Sequence, residues 1–134
     1  MEGQKRKALD RLLAATREDP DVLGVLVYGS TARGEQTPDS DIDVCLVLMP
    51  ERRFSNQGAL SAKRLDYLAQ SDLDVRIFQQ LPLYVRSRVL KEGRVEYVRD
   101  EDLLYALALK TVQAFEDFKP LYHEYLEHVA NDRS

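Results

Sequence analysis

The sequence predicts an α/β (α+β) domain: a small mixed β-sheet flanked by helices, with a helical extension at the C-terminal end. Three observations carry this. Short valine-rich runs such as Val22–Tyr28 and Asp41–Leu48 read as buried strands. Between them lie stretches with apolar residues at helical spacing. The 134 residues are 44% hydrophobic and 31% charged, a globular composition of a size suited to one domain.

Lys5 to Arg17 reads as an amphipathic helix, with Ala8, Leu9, Leu12 and Leu13 on one face. Asp19-Pro20-Asp21 ends it, because proline cannot continue a helix and restrains the residue before it. Val22 to Tyr28 is a buried strand broken by Gly29-Ser30, and Thr31 to Gly34 suits one helical turn. Asp41 to Leu48 is a second strand with two acids at its start. Ala59 to Gln70 is a helix, with Leu60, Leu65 and Leu68 among its apolar residues. Leu73 to Phe78 alternates and suggests a third strand exposed on one face. Leu83 to Lys91 is a short helix stopped by Gly93, and Arg94 to Val98 is an edge strand. Three acids, Asp100 to Asp102, suit the start of a helix that Pro120 breaks or kinks before a second segment. The expected division is a domain over 1–99 and a helical extension over 100–134 that packs on it or on a partner.

Charge narrows the function. The formal net charge is −4, and the single Cys45 and two histidines, His123 and His128, exclude a disulfide framework and a Cys-rich zinc site. The segment 100–134 holds eight acids and three bases, so the acidity belongs to the tail. A basic face for a long nucleic-acid track is not evident. No apolar run approaches the ~20 residues that span a bilayer. Met1 to Arg6 is polar, which sets a cytoplasmic location as the expectation. Chemistry therefore falls to carboxylates.

The informative stretch is VLVYGSTARGEQTPDSDIDVCLV, Val25 to Val47. Asp41 and Asp43 are two apart on a strand, so both carboxylates project from one face. Side by side they repel, unless a cation lies between them. Hard oxygen ligands suit Mg²⁺, which also accepts substrate phosphates. Gly29 lets backbone approach a phosphate, and a helical turn beginning at Thr31 would aim free N–H groups at the anion. The Ser30 hydroxyl adds a donor. Arg33 can reach the same triphosphate or bridge to Glu35 or Asp39. Asp74, on the third strand, can join the pair if that strand neighbours the second; Asp72, just before it, suits a turn. Three carboxylates around one or two Mg²⁺ ions, about 3.5–4 Å apart when paired, form a centre for nucleotidyl transfer. Asp74 would take part at the attacking hydroxyl.

YGSTARGEQTPDSDIDVCLV resembles the signature of the nucleotidyltransferase superfamily that includes DNA polymerase β, in which Gly-Ser is followed about ten residues on by Asp-x-Asp. The Ala-Arg-Gly after Ser30-Thr31 and the segment LPLYVRSRVLKEGRVEYV, residues 81–98, are similar to the minimal nucleotidyltransferases (MNT), which include antitoxins paired with HEPN-domain toxins. The resemblance covers roughly residues 5 to 98. It implies Asp41, Asp43 and Asp74 as catalytic metal ligands, with Gly29, Ser30 and Arg33 on the nucleotide. It implies ATP as substrate, Mg²⁺, AMP transfer to a hydroxyl, and a tyrosine of a partner HEPN toxin as the acceptor. Transfer to a small-molecule hydroxyl and a contact-only antitoxin with an idle site are the alternatives. RNA-tailing enzymes of the superfamily are larger than this chain. An HEPN ribonuclease is excluded, since neither histidine has an arginine just upstream.

Outside the motif the readings are plainer. Cys45 suits a small buried hydrophobe. Arg76 lies two residues from Asp74 on the same strand face and suits solvation more than substrate. Tyr122 and Tyr125 fall on an apolar face of the tail that favours partner contact or a second copy of the chain.

Overall fold

The computed structural model describes residues 2–28 and 42–132. Within them the chain runs α1 (Glu2–Arg17), β1 (Val22–Tyr28), β2 (Asp43–Leu48), α2 (Gln57–Gln70), β3 (Asp74–Ile77), α3 (Leu83–Glu92), β4 (Arg94–Val98) and α4 (Glu101–Asp132). Short 3₁₀ turns at Arg52–Ser55 and Phe78–Gln80 precede α2 and follow β3.

The sheet is mixed, in the order β3-β2-β1-β4. β1 pairs antiparallel with β2 and β4, and β2 pairs parallel with β3. A parallel pair needs a crossover, and α2 supplies it. Strand alternation divides the core into two layers. Val25, Val27, Val44, Leu46, Leu48, Val75 and Ile77 meet Leu9, Leu12 and Leu13 of α1 and Leu60 and Tyr67 of α2. Leu26, Cys45 and Val47 face the other way, against Val89 of α3 and Leu103, Leu104 and Leu107 of α4. With helices on both faces, β1 and β2 read as continuous apolar runs.

Side chains fix the joints. Asn56 caps α2, its Oδ1 accepting from Ala59 N–H at 3.0 Å, and Asp100 caps α4 through Leu103 N–H at 3.0 Å. Gln79 lies past the end of β3. Its amide accepts from Leu48 N–H at 3.2 Å and donates to Leu48 C=O at 2.8 Å, extending the β2–β3 ladder by one side chain. Gly93 ends α3 for a reason of space: a Cβ there would lie 2.4 Å from the Val89 carbonyl, to which Gly93 N–H donates at 2.7 Å.

Two expectations are corrected. The C-terminal segment is one helix from Glu101 to Asp132 that carries Pro120 inside it, so the break expected there does not occur. The proline forfeits one N–H bond, and the turns on either side continue the ladder. The second strand starts at Asp43, two residues later than expected, with Ile42 already buried ahead of it. The expected turn at Thr31–Gly34 lies outside the described residues, as does the fold around Gly29, Ser30, Arg33 and Asp41. Leu65 is 65% exposed on the outer face of α2.

Candidate active site

The site is built from the register of three strands. Tyr28, the last residue of β1, is opposite Asp43, the first of β2. Asp43 is in turn opposite Asp74, the first of β3. The three form one row across the end of the sheet. Alternation settles their direction. Val44 and Val75 point into the α1/α2 layer, so Asp43 and Asp74 project from the opposite face. Neighbouring strands lie about 4.8 Å apart, so the two carboxylates stand side by side.

One step further along the strands, Cys45 is opposite Arg76 on the same face. Arg76 Nη2 lies 3.5 Å from Asp74 Oδ2. Arg64 reaches in from α2: its Nε donates to the Val75 carbonyl at 2.8 Å and its Nη2 lies 4.0 Å from Asp74 Oδ1. Asp74 is thus held between two guanidiniums, one on its own strand and one on the crossover helix. That arrangement offsets the repulsion that Asp43 exerts on it.

The floor is kept neutral. Burial pushes the Cys45 thiol up to about 12, so it stays protonated. Burial also pushes the Tyr28 phenol up to about 12, helped by Cys45 and by the Asp43 and Asp74 carboxylates, while Arg76 pulls it back. Tyr28 therefore remains an uncharged hydroxyl beside the acids. Beyond it, Tyr28, Val85, Arg88, Val89 and Glu92 enclose a pocket of about 210 Å³ between β1 and α3.

Two of the three expected carboxylates, Asp43 and Asp74, are brought together. Asp41, Gly29, Ser30 and Arg33 lie outside the described residues. Among the described residues no group of three or more His, Cys, Asp or Glu side chains could hold a metal. Sequence reasoning missed Tyr28 and Arg64. Tyr28 is signalled only by its place before Gly29. Arg64 is ten residues upstream of Asp74 on a helix, and no short motif links them.

The site thus sets paired acids at the N-terminal ends of two parallel strands, beside a strand that leads in the sequence into Gly29-Ser30. Residues 11–102 match the family described as "Polymerase beta, Nucleotidyltransferase", and the chain belongs to that family of nucleotidyltransferases. A Methanocaldococcus jannaschii protein named "Putative protein adenylyltransferase MJ1547" is 37% identical over 75 residues, 55% of this chain and 54% of that protein. The chain thus spans about half the length of the curated relative it matches. Among solved structures, one described as a toxin-antitoxin with AMP-PNP aligns with a TM-score of 0.65 at 18% identity, over 92% of this chain and 97% of that one. Another, described as a tri-AMPylated Shewanella oneidensis HEPN toxin in complex with MNT antitoxin, gives 0.64 at 15%, over 97% and 99%. At such identities the structural likeness speaks for the fold.

Among the described residues no helix is long and apolar enough to cross a membrane.

Proposed function

We propose that the protein is an Mg²⁺-dependent adenylyltransferase that moves AMP from ATP to a tyrosine hydroxyl on an HEPN-type toxin, acting as its antitoxin. The observation that carries the reading is the pairing of Asp43 with Asp74 on one face of the sheet. Their hard carboxylate oxygens suit Mg²⁺, and Asp41, two residues from Asp43 in the sequence, is assigned as the third ligand. When bound, the metal neutralises developing charge on the phosphates and the attacking oxygen. Gly29, Ser30 and Arg33 are assigned to the triphosphate. The acceptor oxygen attacks the α-phosphorus. That O–P bond forms as the α–β bridge breaks, pyrophosphate leaves with the electron pair, and the hydroxyl proton passes to the Asp74 carboxylate.

The solved structures described with AMP-PNP and with an AMPylated toxin support ATP and a toxin acceptor by likeness of fold. The chain's own surface supports a protein partner. Tyr105, Leu109, Val112, Phe118 and Leu126 of α4 are exposed. A groove of about 740 Å³ runs between α4 and the edge formed by α3 and β4. We assign residues 1–99 to catalysis and 100–134 to partner contact on this basis. The same surface favours a second reading, neutralisation by contact alone.

The test is the double variant Asp41→Asn with Asp43→Asn. With α-labelled ATP and the co-purified partner, transfer is expected to vanish while the circular dichroism spectrum is unchanged. Full transfer would sink the metal-site assignment. Neutralisation that survives in the variant would favour contact alone.

A further inference from the structure

The small pocket at Tyr28 is not used by the phosphate chemistry, yet it shares a residue with the row that carries Asp43. Tyr28 lines the pocket and is also the residue opposite Asp43. A nucleotide with its phosphates at Asp43 would have this space one strand away, across Tyr28. At about 210 Å³ the pocket is below the roughly 300 Å³ at which sites for whole drug-sized ligands begin. It suits a single planar ring system. Its lining has the matching chemistry: one aromatic residue, Tyr28, with two valines, Val85 and Val89.

The rim adds a pattern. Arg88 and Glu92 are one helical turn apart on α3, with Arg88 Nε 3.3 Å from Glu92 Oε2. The rim therefore offers donors from the guanidinium and an acceptor from the carboxylate. Adenine presents an acceptor at N7 beside a donor at N6, whereas guanine presents two acceptors, N7 and O6. An acceptor-bearing rim fits the first and opposes the second.

We propose that the pocket of Tyr28, Val85 and Val89 holds the nucleobase, and that Arg88 and Glu92 select adenine over guanine. This rests on the nucleotidyl-transfer reading above and deepens it. Tyr28 is the stacking surface, and Glu92 is the selecting residue. The rim is partly exposed, so selection is modest, about tenfold, at the low end for a hydrogen-bonded base pairing.

The experiment is calorimetric titration of the full chain with Mg·ATP and Mg·GTP. The wild type is expected to bind ATP about tenfold more tightly. Glu92→Arg, at the exposed end of α3, replaces the acceptor with donors and is expected to bring the ratio to about one or invert it. Val85→Trp, which fills the pocket, is expected to weaken both nucleotides about tenfold or more. Because Val85→Trp can disturb α3, thermal melting of both variants accompanies the titration, and the Glu92 result stands on its own. Wild-type affinity and an unchanged ATP/GTP ratio in Glu92→Arg would overturn the assignment. Unchanged nucleotide affinity in Val85→Trp with lost transfer would give the pocket to the acceptor instead, and overturn it too. Absence of any nucleotide binding by the wild type would overturn the nucleotidyl reading itself, and the pocket with it.

Discussion

Asp74 illustrates how much one residue depends on groups far from it in the chain. Its carboxylate is oriented by Arg76, two residues on, and approached by Arg64, whose firmer hold is on the Val75 carbonyl. Arg64→Ala removes a charged donor from a backbone acceptor that is partly shielded. The loss is expected to be about 1 kcal/mol of stability, at the low end for hydrogen bonds to charged groups because Arg64 is partly exposed. With Asp74 left to Arg76 alone, transfer is expected to fall about tenfold, some 1.4 kcal/mol in the barrier. Arg64→Lys should not restore it, since one ammonium cannot reach both the carbonyl and the carboxylate. Thermal melts and initial transfer rates check both parts; a wild-type rate in Arg64→Ala would remove Arg64 from the site. At this scale the sequence was legible where chemistry is local. Asp43 is found by its spacing from Gly29-Ser30, and Asp74 by a polar residue opening an alternating run. Arg64 and Tyr28 were not legible, because strand register and helix docking bring them in and neither leaves a mark in neighbouring residues.

The elements were read well where burial is two-sided. Val22–Tyr28 has the expected bounds because both faces of β1 need apolar side chains. The bounds of β2 were harder, since Ile42 is buried whether or not it is in the strand. The joint before β1 shows what periodicity cannot convey. Lys63 of α2 binds Asp19 at 2.8 Å and Asp21 at 2.9 Å, and the Tyr67 hydroxyl donates to Asp19 at 2.7 Å. Arg53 also pairs with Asp21. Arg99, just past β4, donates to the carbonyls of Thr16, Arg17, Asp19 and Val22, closing the end of α1. Burial alone would raise the Asp19 carboxyl, but the hydrogen bonds from Lys63, Tyr67 and Asp21 N–H outweigh it and hold the group below its ordinary 3.8. Burial would likewise lower Lys63, and the bonds to Asp19 and Asp21 raise it above 10.5 instead. The Asp19 contribution is therefore complete above pH 3.8 and lost as pH falls through the lower folded value. The Lys63 contribution is complete below pH 10.5 and lost as pH rises through the higher one. Lys63→Met is expected to move acid unfolding, followed by circular dichroism, to higher pH. A transition at the wild-type pH would mean that Lys63 does not hold Asp19 down.

At the scale of the whole molecule, the two layers are unequally finished. The layer of α1 and α2 closes over its side of the sheet with leucines and Tyr67. The layer of α3 and α4 covers β1 and β2 through Val89, Leu103, Leu104 and Leu107. Beyond Thr111, which turns its hydroxyl to the Leu107 carbonyl at 2.9 Å, the residues from Val112 to Pro120 are exposed apart from the half-buried Phe115. Its continuity through Pro120 was illegible, because proline reads as a break in any local window. The apolar stripe was legible, but its use is a property of the assembled surface. Tyr105 is 71% exposed and Val112 41%, and both line the groove beside the β4 edge, where Val95 is also exposed. Apolar side chains so placed contribute little to the fold, so the pair Tyr105→Glu and Val112→Glu is expected to change stability by no more than about 0.5 kcal/mol per site. Nucleotide binding should be untouched, since neither residue lines the Tyr28 pocket. If α4 docks the proposed toxin, two carboxylates buried at that contact would each be desolvated without a partner, and co-purification of the toxin should be lost along with its neutralisation in cells. Retained co-purification with unchanged neutralisation would move the docking surface off α4. Loss of co-purification with transfer still measurable at high toxin concentration would separate the two tasks, with catalysis in the sheet and capture on the helix.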